Sequence, residues 1–237
     1  MEISIQDKDK FVNGLLTPVS KVSDTAVINV NNENITCLCA STNNVALYAT
    51  AIVDQTNAQA VLNVPDVKKL IKLLNCIESN NIILGINNNN LEYKSSKIRF
   101  KYHLLENDII KVPDIKFSKV ESLGYNTEFS IGYDAFNELH KLSSVITDSN
   151  KVYMYTENNI VYAELTDKTR PNIDSYCTII ASNYDGDEFS KLPISMDSLR
   201  LMHVGKQSDV NVKINIARGV FLFETGTLKY LTSAMIH

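Results

Sequence analysis

The chain has no long apolar segment and no recognisable targeting segment. Among its 237 residues, no apolar run approaches the roughly 20 residues that a membrane-spanning helix needs. Residues 1–7 provide neither the basic start nor the apolar core of a secretion signal. We therefore expect a protein that makes no membrane contact and works in the cytoplasm.

Cysteine is also scarce. The four cysteines do not follow the spacing of a disulfide framework: they are Cys37, Cys39, Cys76 and Cys177. Cys37 and Cys39 lie two residues apart on a predicted strand, so their side chains share one face. In a reducing compartment, small side chains of this kind are usually buried as free thiols. The pattern predicts core thiols at these two positions rather than a metal site.

Catalytic motifs are missing as well. The segment Gly205-Lys206-Gln207-Ser208 resembles the end of a phosphate-binding loop, but Arg200 occupies the position where that loop requires its first glycine. No Gly-x-Ser-x-Gly elbow occurs, and the acidic turn 185–188 lacks the spaced ligands of a calcium loop. The histidines form no pair at helical ligand spacing: they are His103, His140, His203 and His237. We therefore predict no catalytic residues, no metal and no cofactor.

Positive charge is in slight deficit, with a formal net charge of −4. A mildly acidic chain does not bind nucleic acid over its whole surface, because most of that surface repels phosphate. The balance still allows a restricted basic face.

The feature that the sequence does have is an internal repeat. Glu2-Ile3-Ser4-Ile5 predicts a short strand, followed by a helix to about residue 22 and by strands broken at the polar turn 31–34. The same order returns from Glu128-Phe129-Ser130-Ile131, with a helix over 134–146 and a turn at 157–159. A repeat of this length is a signal of architecture. It predicts two similar β-rich domains, 1–105 and 126–237, joined by a linker at 106–125.

The second part of each half also corresponds. Leu62-Asn63-Val64-Pro65 and Leu192-Pro193-Ile194-Ser195 each open a predicted helix, and three strands follow. Many of the strand segments alternate apolar and polar residues, which is typical of sheets with one buried face. The predicted strands cover residues 27–30, 36–40, 45–53, 82–86, 91–93, 98–104, 129–131, 152–156, 161–165, 176–182, 210–216, 220–224 and 228–233.

Four helices are predicted, two in each half. The helix over 65–77 has Pro65 in its first turn and buries Val67, Leu70, Ile71 and Leu74. The helix from Asp134 buries Phe136, Leu139, Leu142 and Val145, and the short helix over 195–204 turns Leu199 and Met202 inward. Gly14 and Pro18 interrupt the first helix, which we expect to bend or end near Thr17.

Basic residues collect in or beside these four helices, whereas acidic residues collect elsewhere. A single helix lysine is usually just solvated. The same bias on four helices at repeated positions, in an acidic chain, favours a functional basic face. The residues of this predicted face are Lys8, Lys10, Lys68, Lys69, Lys72, Lys141, Arg200, His203 and Lys206.

The order of elements resembles a known family. The repeated pattern, the segment Asn183-Tyr184-Asp185-Gly186 followed by Phe189, Leu192 and Ile194, and the hairpin-rich ending 219–235 are similar to the DNA sliding clamps of T-even-type bacteriophages. Those clamps are related in fold to proliferating cell nuclear antigen. The likeness covers essentially the whole chain, although the asparagine-rich turns and the cluster of Lys68, Lys69 and Lys72 depart from the family.

The resemblance implies an α+β clamp fold with helices on the inner face and sheets outside, closed into a homotrimeric ring around double-stranded DNA. The edge strands 96–105 and 176–182 would join neighbouring subunits, and an ATP-dependent clamp loader would open the ring. The helix cations would attract DNA without reading its sequence. The DNA polymerase and other partners would dock peptides in a cleft under the linker, formed by Ile110, Val112, Ile115, Phe117, Met235 and Ile236.

Two other interpretations stay open from the residues alone. One is a small two-domain hydrolase or nucleotide enzyme whose site assembles only in space. The other is a phage structural protein built from a duplicated β-rich domain. A saturable turnover would support the enzyme, whereas a ring-shaped oligomer that holds circular DNA would support the clamp.

Overall fold

The computed structural model describes residues 1–52, 59–87, 89–146, 149–170, 172–205 and 208–235. Internal contacts divide the chain into two compact units. Unit 1 comprises Met1–Ser41 and Ala46–Asp114, and unit 2 comprises Thr42–Val45 and Ile115–His237. Each unit has its own core of aliphatic and aromatic side chains, with Leu15, Leu47 and Leu74 fully buried in unit 1 and Phe221, Phe223 and Tyr230 in unit 2.

Unit 1 contains eight strands in two antiparallel groups of four. One group has the order β1-β6-β7-β8 and the other the order β5-β2-β3-β4. The bounds of the strands are β1 Glu2–Ile5, β2 Ala26–Val30, β3 Asn34–Ala40, β4 Ala46–Ile52, β5 Ala60–Val64, β6 Ile82–Asn87, β7 Asn90–Lys94 and β8 Arg99–His103.

Unit 2 repeats this connectivity. Its strands are ordered β9-β14-β15-β16 in one group and β13-β10-β11-β12 in the other. Each of these strands takes the place of the strand eight numbers earlier, so the repeat that the sequence predicted is confirmed at the level of strand order. The bounds are β9 Thr127–Ile131, β10 Lys151–Glu157, β11 Ile160–Leu165, β12 Tyr176–Ala181, β13 Leu192–Ser195, β14 Val210–Asn215, β15 Val220–Thr225 and β16 Leu228–Ser233.

Two of these strands were missed by the sequence pattern. Residues 62–65 and 192–195 were expected to open helices, but residues 62–64 belong to β5 and residues 192–195 to β13. Strand β5 pairs with β2 through Ala26 opposite Val64, and β13 pairs with β10 through Tyr153 opposite Pro193. Pro193 is tolerated because β13 has a partner on one side within its group and lies at the edge.

The first helix runs without a break through the two residues expected to interrupt it. Helix α1 (Lys8–Phe11) continues as a π-helical turn (Val12–Leu16) and then as α2 (Thr17–Val22). In the π turn, the Thr17 N–H donates to the carbonyl of Val12, five residues back. The wider turn ends at Leu16, and Pro18, which has no N–H to donate, lies in the first turn of α2. The helix therefore does not end near Thr17, whereas the expected bend there stays a prediction.

Helix α3 (Val67–Asn75) begins two residues later than predicted. Asp66 caps it by accepting a 2.8 Å hydrogen bond from the Lys69 N–H, and Pro65 lies outside the first turn. The helix buries Val67, Leu70 and Leu74, whereas Ile71, which was also expected to be buried, is only half-buried. This amphipathic pattern follows the 3.6-residue period, as the sequence predicted.

Unit 2 contains α4 (Phe117–Glu121), α5 (Tyr133–Val145) and α6 (Met196–Leu201). Helix α5 buries Phe136 and Leu139, but Leu142 is only half-buried and Val145 is 74% exposed. Val145 is the last residue of α5, and its side chain is exposed at the helix end. The prediction that it is buried is therefore wrong. In and after α6, Leu199 and Met202 are buried, as predicted. No helix among the described residues has the length and apolarity needed to cross a membrane.

Candidate nucleic-acid interface

A basic surface of the described chain is the exposed side of α3. Lys68, Lys69 and Lys72 all project from this side, opposite the buried apolar residues of the helix. Spacings of three and four residues place them on one helical face. With Asp24, Pro65 and Asp66 they border a hollow of about 580 Å³. The sequence predicted these three lysines as a cluster, and the structure brings them together.

The three ammonium groups differ in their surroundings. Lys68 Nζ lies 2.8 Å from Asp24 Oδ1, and this hydrogen bond raises the pKa of Lys68. Both side chains of the pair are exposed, so water screens their attraction. Among the described residues, Lys69 and Lys72 have no carboxylate within 4 Å of their ammonium groups. They are therefore available to an anionic ligand.

Lys8 does not belong to this surface, which corrects the sequence-based assignment. Its side chain is only 7% exposed, and its ammonium group donates a hydrogen bond to the carbonyl oxygen of Ile77. The Lys8 N–H also donates to the carbonyl of Asn80. Lys8 is buried because the start of α1 packs against the chain that leaves α3. Lys10, two residues on, is exposed.

The helices of unit 2 are less basic than the sequence pattern indicated. Lys141 is exposed on α5. The guanidinium of Arg200 lies 2.8 Å from Asp197 Oδ1 and also donates to the carbonyl of Ser143. His203 is half-buried, and its backbone N–H donates a hydrogen bond to the Tyr230 hydroxyl. The expectation of one basic bias on all four helices is therefore wrong for unit 2.

Two of the predicted site residues, Lys206 and Ile236, lie outside the described residues. The other predicted cleft residues fall in both units. Ile110 and Val112 lie in unit 1, whereas Ile115, Phe117 and Met235 lie in unit 2 and are half-buried there.

In unit 1, Ile110 and Val112 border a hollow of about 280 Å³ between the linker and the sheet. The floor is formed by β2 and β3, including Val27 and Leu38, which the sequence did not point to. Both are apolar residues at strand positions that alternate with buried ones, where a free surface would favour polar residues. An apolar residue at a strand position where alternation predicts a polar one is the signal that could have identified Val27 and Leu38.

Two strands that the sequence proposed as subunit edges lie at sheet edges. Strand β8 ends the group β1-β6-β7-β8, and β12 ends the group β13-β10-β11-β12. On β12, Tyr176 and Ile179 are 36% and 47% exposed. The Tyr176 hydroxyl donates a 2.9 Å hydrogen bond to Glu138 on α5. An edge strand with exposed apolar side chains is a ready template for pairing with another chain.

Metal-binding and disulfide chemistry are not supported in the part of the chain that the structure describes. No group of three or more His, Cys, Asp or Glu side chains converges there. The four cysteines are free thiols, of which Cys37 and Cys39 are buried as predicted. A hydrogen bond with Cys39, together with burial, raises the pKa of the Cys37 thiol, which makes it a poor nucleophile.

Comparison with solved structures identifies the architecture. The proliferating cell nuclear antigen (PCNA) of A. fulgidus, solved with the C-terminal region of FEN-1 bound, is 12% identical with a TM-score of 0.75, and the match covers 100% of this chain and 98% of that one. PCNA of Thermococcus kodakaraensis is 15% identical with a TM-score of 0.73, over 98% and 99% of the two chains. The DNA polymerase sliding clamp of Pseudomonas aeruginosa is 13% identical with a TM-score of 0.70, over 100% and 65%.

The chain thus spans about two thirds of the bacterial clamp and the full length of the archaeal ones. It matches no protein-family model and no curated protein. Identities this low establish the fold alone. The chain has the α+β fold of the DNA sliding clamps.

Proposed function

We propose that the protein is a DNA sliding clamp, a non-enzymatic ring that encircles duplex DNA and tethers the replicative DNA polymerase. The observation that carries the proposal is the likeness of the whole chain, in both units, to PCNA structures of nearly the same length. The exposed lysines of α3 add an independent chemical argument, since they form a basic surface in a chain of net charge −4.

The ring is a homotrimer of head-to-tail subunits, so that two domains in each subunit give six in all. We take the domains as 1–105 and 126–237, with 106–125 as the connection. Strand β8 of one subunit pairs with β12 of the next, and a rotation that closes leaves no open edge. Both are edge strands within their own units, as this pairing requires.

Retention on DNA then follows from topology rather than from affinity. A duplex threaded through a closed ring cannot leave sideways, so tight contacts are unnecessary and would slow sliding. Weak attraction between helix lysines and phosphates is enough, and it is independent of sequence. A polymerase bound to the ring is held at high local concentration beside the primer end.

Partners reach the ring in two ways. An ATP-dependent loader opens it, and the polymerase inserts a short apolar segment between the linker and the sheet, where Ile110 and Val112 border the hollow. Ile115, Phe117, Met235 and Ile236 stay predictions for partner binding. We assign the clamp to replication by a T-even-type bacteriophage in the cytoplasm of its bacterial host.

The first test of the proposal is the mass of the full chain in solution. Light scattering at high concentration is expected to give three times the 26.6 kDa of one chain. A mass that remains at one chain at all concentrations contradicts the ring.

The second test is retention on DNA. Subunits dissociated by dilution are reassembled by a crowding agent in the presence of nicked circular DNA and then washed with salt that removes ordinary electrostatic binding. We expect the protein to stay on the circle, to leave when a restriction enzyme linearises it, and to stay when both ends of the linear DNA are blocked. Equal retention on open linear DNA would contradict threading.

A further inference from the structure

The helices of the two units carry very different charge. In unit 1, helices α1, α2 and α3 contain six lysines and a single acidic residue, Asp9. In unit 2, the corresponding helices α5 and α6 contain two cations and three carboxylates: Lys141, Arg200, Asp134, Glu138 and Asp197. The fold is repeated, but the charge is not.

Helix stability accounts for the charges in unit 2. A helix has a partial positive charge at its start and a partial negative charge at its end, so acids are favoured in the first turn and bases in the last. Asp134 and Asp197 lie in the first turns of α5 and α6, and Arg200 lies in the last turn of α6. These residues lie where the helix itself favours them.

Helix stability opposes the charges of α3. Its first turn contains Lys68 and Lys69 and no acidic residue, so two ammonium groups lie at the end where the dipole disfavours cations. Lys68 and Lys72 are four residues apart, which adds repulsion between like charges. Asp24 offsets Lys68, and the N-cap Asp66 adds one carboxylate at the helix start, but Lys69 and Lys72 have no ion pair with a described residue. Charges that destabilise their own helix point to a ligand. An anionic ligand would relieve both the unfavourable interaction with the helix dipole and the repulsion between the lysines.

The cations also differ in how far they are free to bind. Lys69 and Lys72 have no ion pair with any described residue and border an open hollow. Arg200, in contrast, is already held by Asp197 and by the carbonyl of Ser143. A phosphate would have to displace a protein carboxylate at Arg200, but not at Lys69 or Lys72. Lys141 is exposed and has no ion pair with a described residue either, but it shares α5 with Asp134 and Glu138, so that helix has no net positive charge.

We infer that unit 1 alone supplies the phosphate-binding surface for duplex DNA, through Lys69 and Lys72 with Lys68 in support, and that the helices of unit 2 make no attractive phosphate contact. This inference rests on the proposed function and assigns its DNA contacts to one of the two repeats. A trimer would then contain three basic sets of helices, one from each unit 1, and three slightly acidic sets, one from each unit 2.

The test compares matched pairs of neutral variants in the full chain. Lys69→Gln with Lys72→Gln removes two charges from unit 1, and Lys141→Gln with Arg200→Gln removes two from unit 2. The single variants Lys72→Gln and Lys141→Gln repeat the comparison at exposed lysines whose loss does not disturb packing. The probe is a fluorescent duplex oligonucleotide, titrated by anisotropy at a series of salt concentrations.

We expect the unit 1 variants to bind the duplex about tenfold more weakly for each lysine replaced. The slope of log K against log salt should also fall in magnitude by about 0.9 for each phosphate that is no longer neutralised. The unit 2 variants should match the unaltered protein in affinity and slope. Equal losses of affinity in the two pairs, or a larger loss in the unit 2 pair, would overturn the inference.

The outcome also separates this inference from the proposed function. Retention on circular DNA depends on a closed ring and should persist in every variant. If that retention holds while the two pairs lose equal affinity, only the assignment to unit 1 fails. If the unaltered protein neither stays on circular DNA nor binds the duplex, both proposals fail.

Discussion

The ammonium group of Lys8 donates a hydrogen bond to the carbonyl oxygen of Ile77, joining the first turn of α1 to the chain that leaves α3. Lys8→Met keeps the aliphatic stem but removes the donor, so a buried carbonyl loses its partner. We expect the free energy of unfolding to fall by about 1–3 kcal/mol. Urea denaturation measures this, with Lys10→Met at an exposed position as the control, expected to change it by less than about 0.5 kcal/mol.

The Lys8→Met variant also tests the proposed distinction between structural lysines and DNA-binding lysines. If Lys8→Met altered the salt dependence of duplex binding as strongly as Lys72→Gln does, the assignment of Lys8 to the interior would be wrong.

The Asp24–Lys68 ion pair allows a gain in DNA affinity to be predicted. Asp24→Asn removes the carboxylate that competes with phosphate for Lys68 and leaves the backbone bond from the Val67 N–H to the Asp24 carbonyl in place. We expect duplex binding to tighten by about two- to tenfold at low salt. Stability should change little, because exposed pairs contribute about 0–1 kcal/mol.

The matched control is Glu92→Gln, which removes one carboxylate from the Glu92–Lys101 pair on the sheet of the same unit. It changes the net charge equally but not the charge beside α3. The same gain in both variants would mean that total charge, rather than the α3 surface, governs binding.

Strand β12 provides a test of the subunit contact. Ile179 is 47% exposed on this edge strand, so Ile179→Asp should not disturb the core of unit 2. We expect the variant to remain folded but to lose the trimer mass in light scattering, because a charge would be buried at the interface. Ile83→Asp, at a 54% exposed position on the interior strand β6, is the control and should leave the mass unchanged.

Two exposed apolar side chains near the linker differ in whether they border the hollow between the linker and the sheet. Val112 borders the hollow, whereas Ile109, in the same segment and 58% exposed, does not. We expect Val112→Asp to shorten the products of clamp-dependent primer extension, since it places a charge where an apolar peptide docks. Ile109→Asp should leave product length unchanged. Equal effects of the two substitutions would argue against the hollow as the docking site.

A local pH effect is expected in unit 2. The hydroxyl and N–H of Thr169, followed by Lys151, lower the pKa of Asp167 from 3.8 to about 2. Because the folded pKa is the lower one, ionised Asp167 stabilises the fold fully above about pH 4, and this contribution is lost as the pH falls from about 4 to about 2.

Asp167→Asn should therefore reduce stability at neutral pH and flatten its decline over that acidic range. Chemical denaturation at several pH values measures both effects, with the exposed Asp174→Asn as the control. An unchanged acidic slope in Asp167→Asn would mean that other carboxylates control the acid response.

Sequence patterns predicted the architecture best in segments where one local pattern, such as strand alternation or an apolar helix face, applies alone. Strict alternation identified most strands, and the apolar face of α3 was predicted at Val67, Leu70 and Leu74. Strand β5 was missed because its last three residues, Leu62, Asn63 and Val64, are all buried and show no alternation. Strand β13 was missed because Pro193 usually marks the end of a strand, although an edge strand tolerates it.

The candidate site was harder to predict than the fold. Sequence alone found the α3 lysines, since a cluster is a local property. It could not show that Lys8 is buried, because that burial involves the distant carbonyl of Ile77. It also could not show that the guanidinium of Arg200 is bound by Asp197 and by the carbonyl of Ser143. Pairing in space decides which cations are free, and only the folded chain defines it.

If the chain forms the proposed ring around DNA, the uneven charge of its two units has a kinetic consequence. Each ammonium–phosphate contact must break before the ring advances along the duplex, so every free lysine acts as friction. If unit 1 alone contacts phosphate, only three of the six domains in the proposed ring have contacts to release at each step. Copying the lysines of α3 onto α6 would then make a clamp that holds DNA more firmly and diffuses along it more slowly.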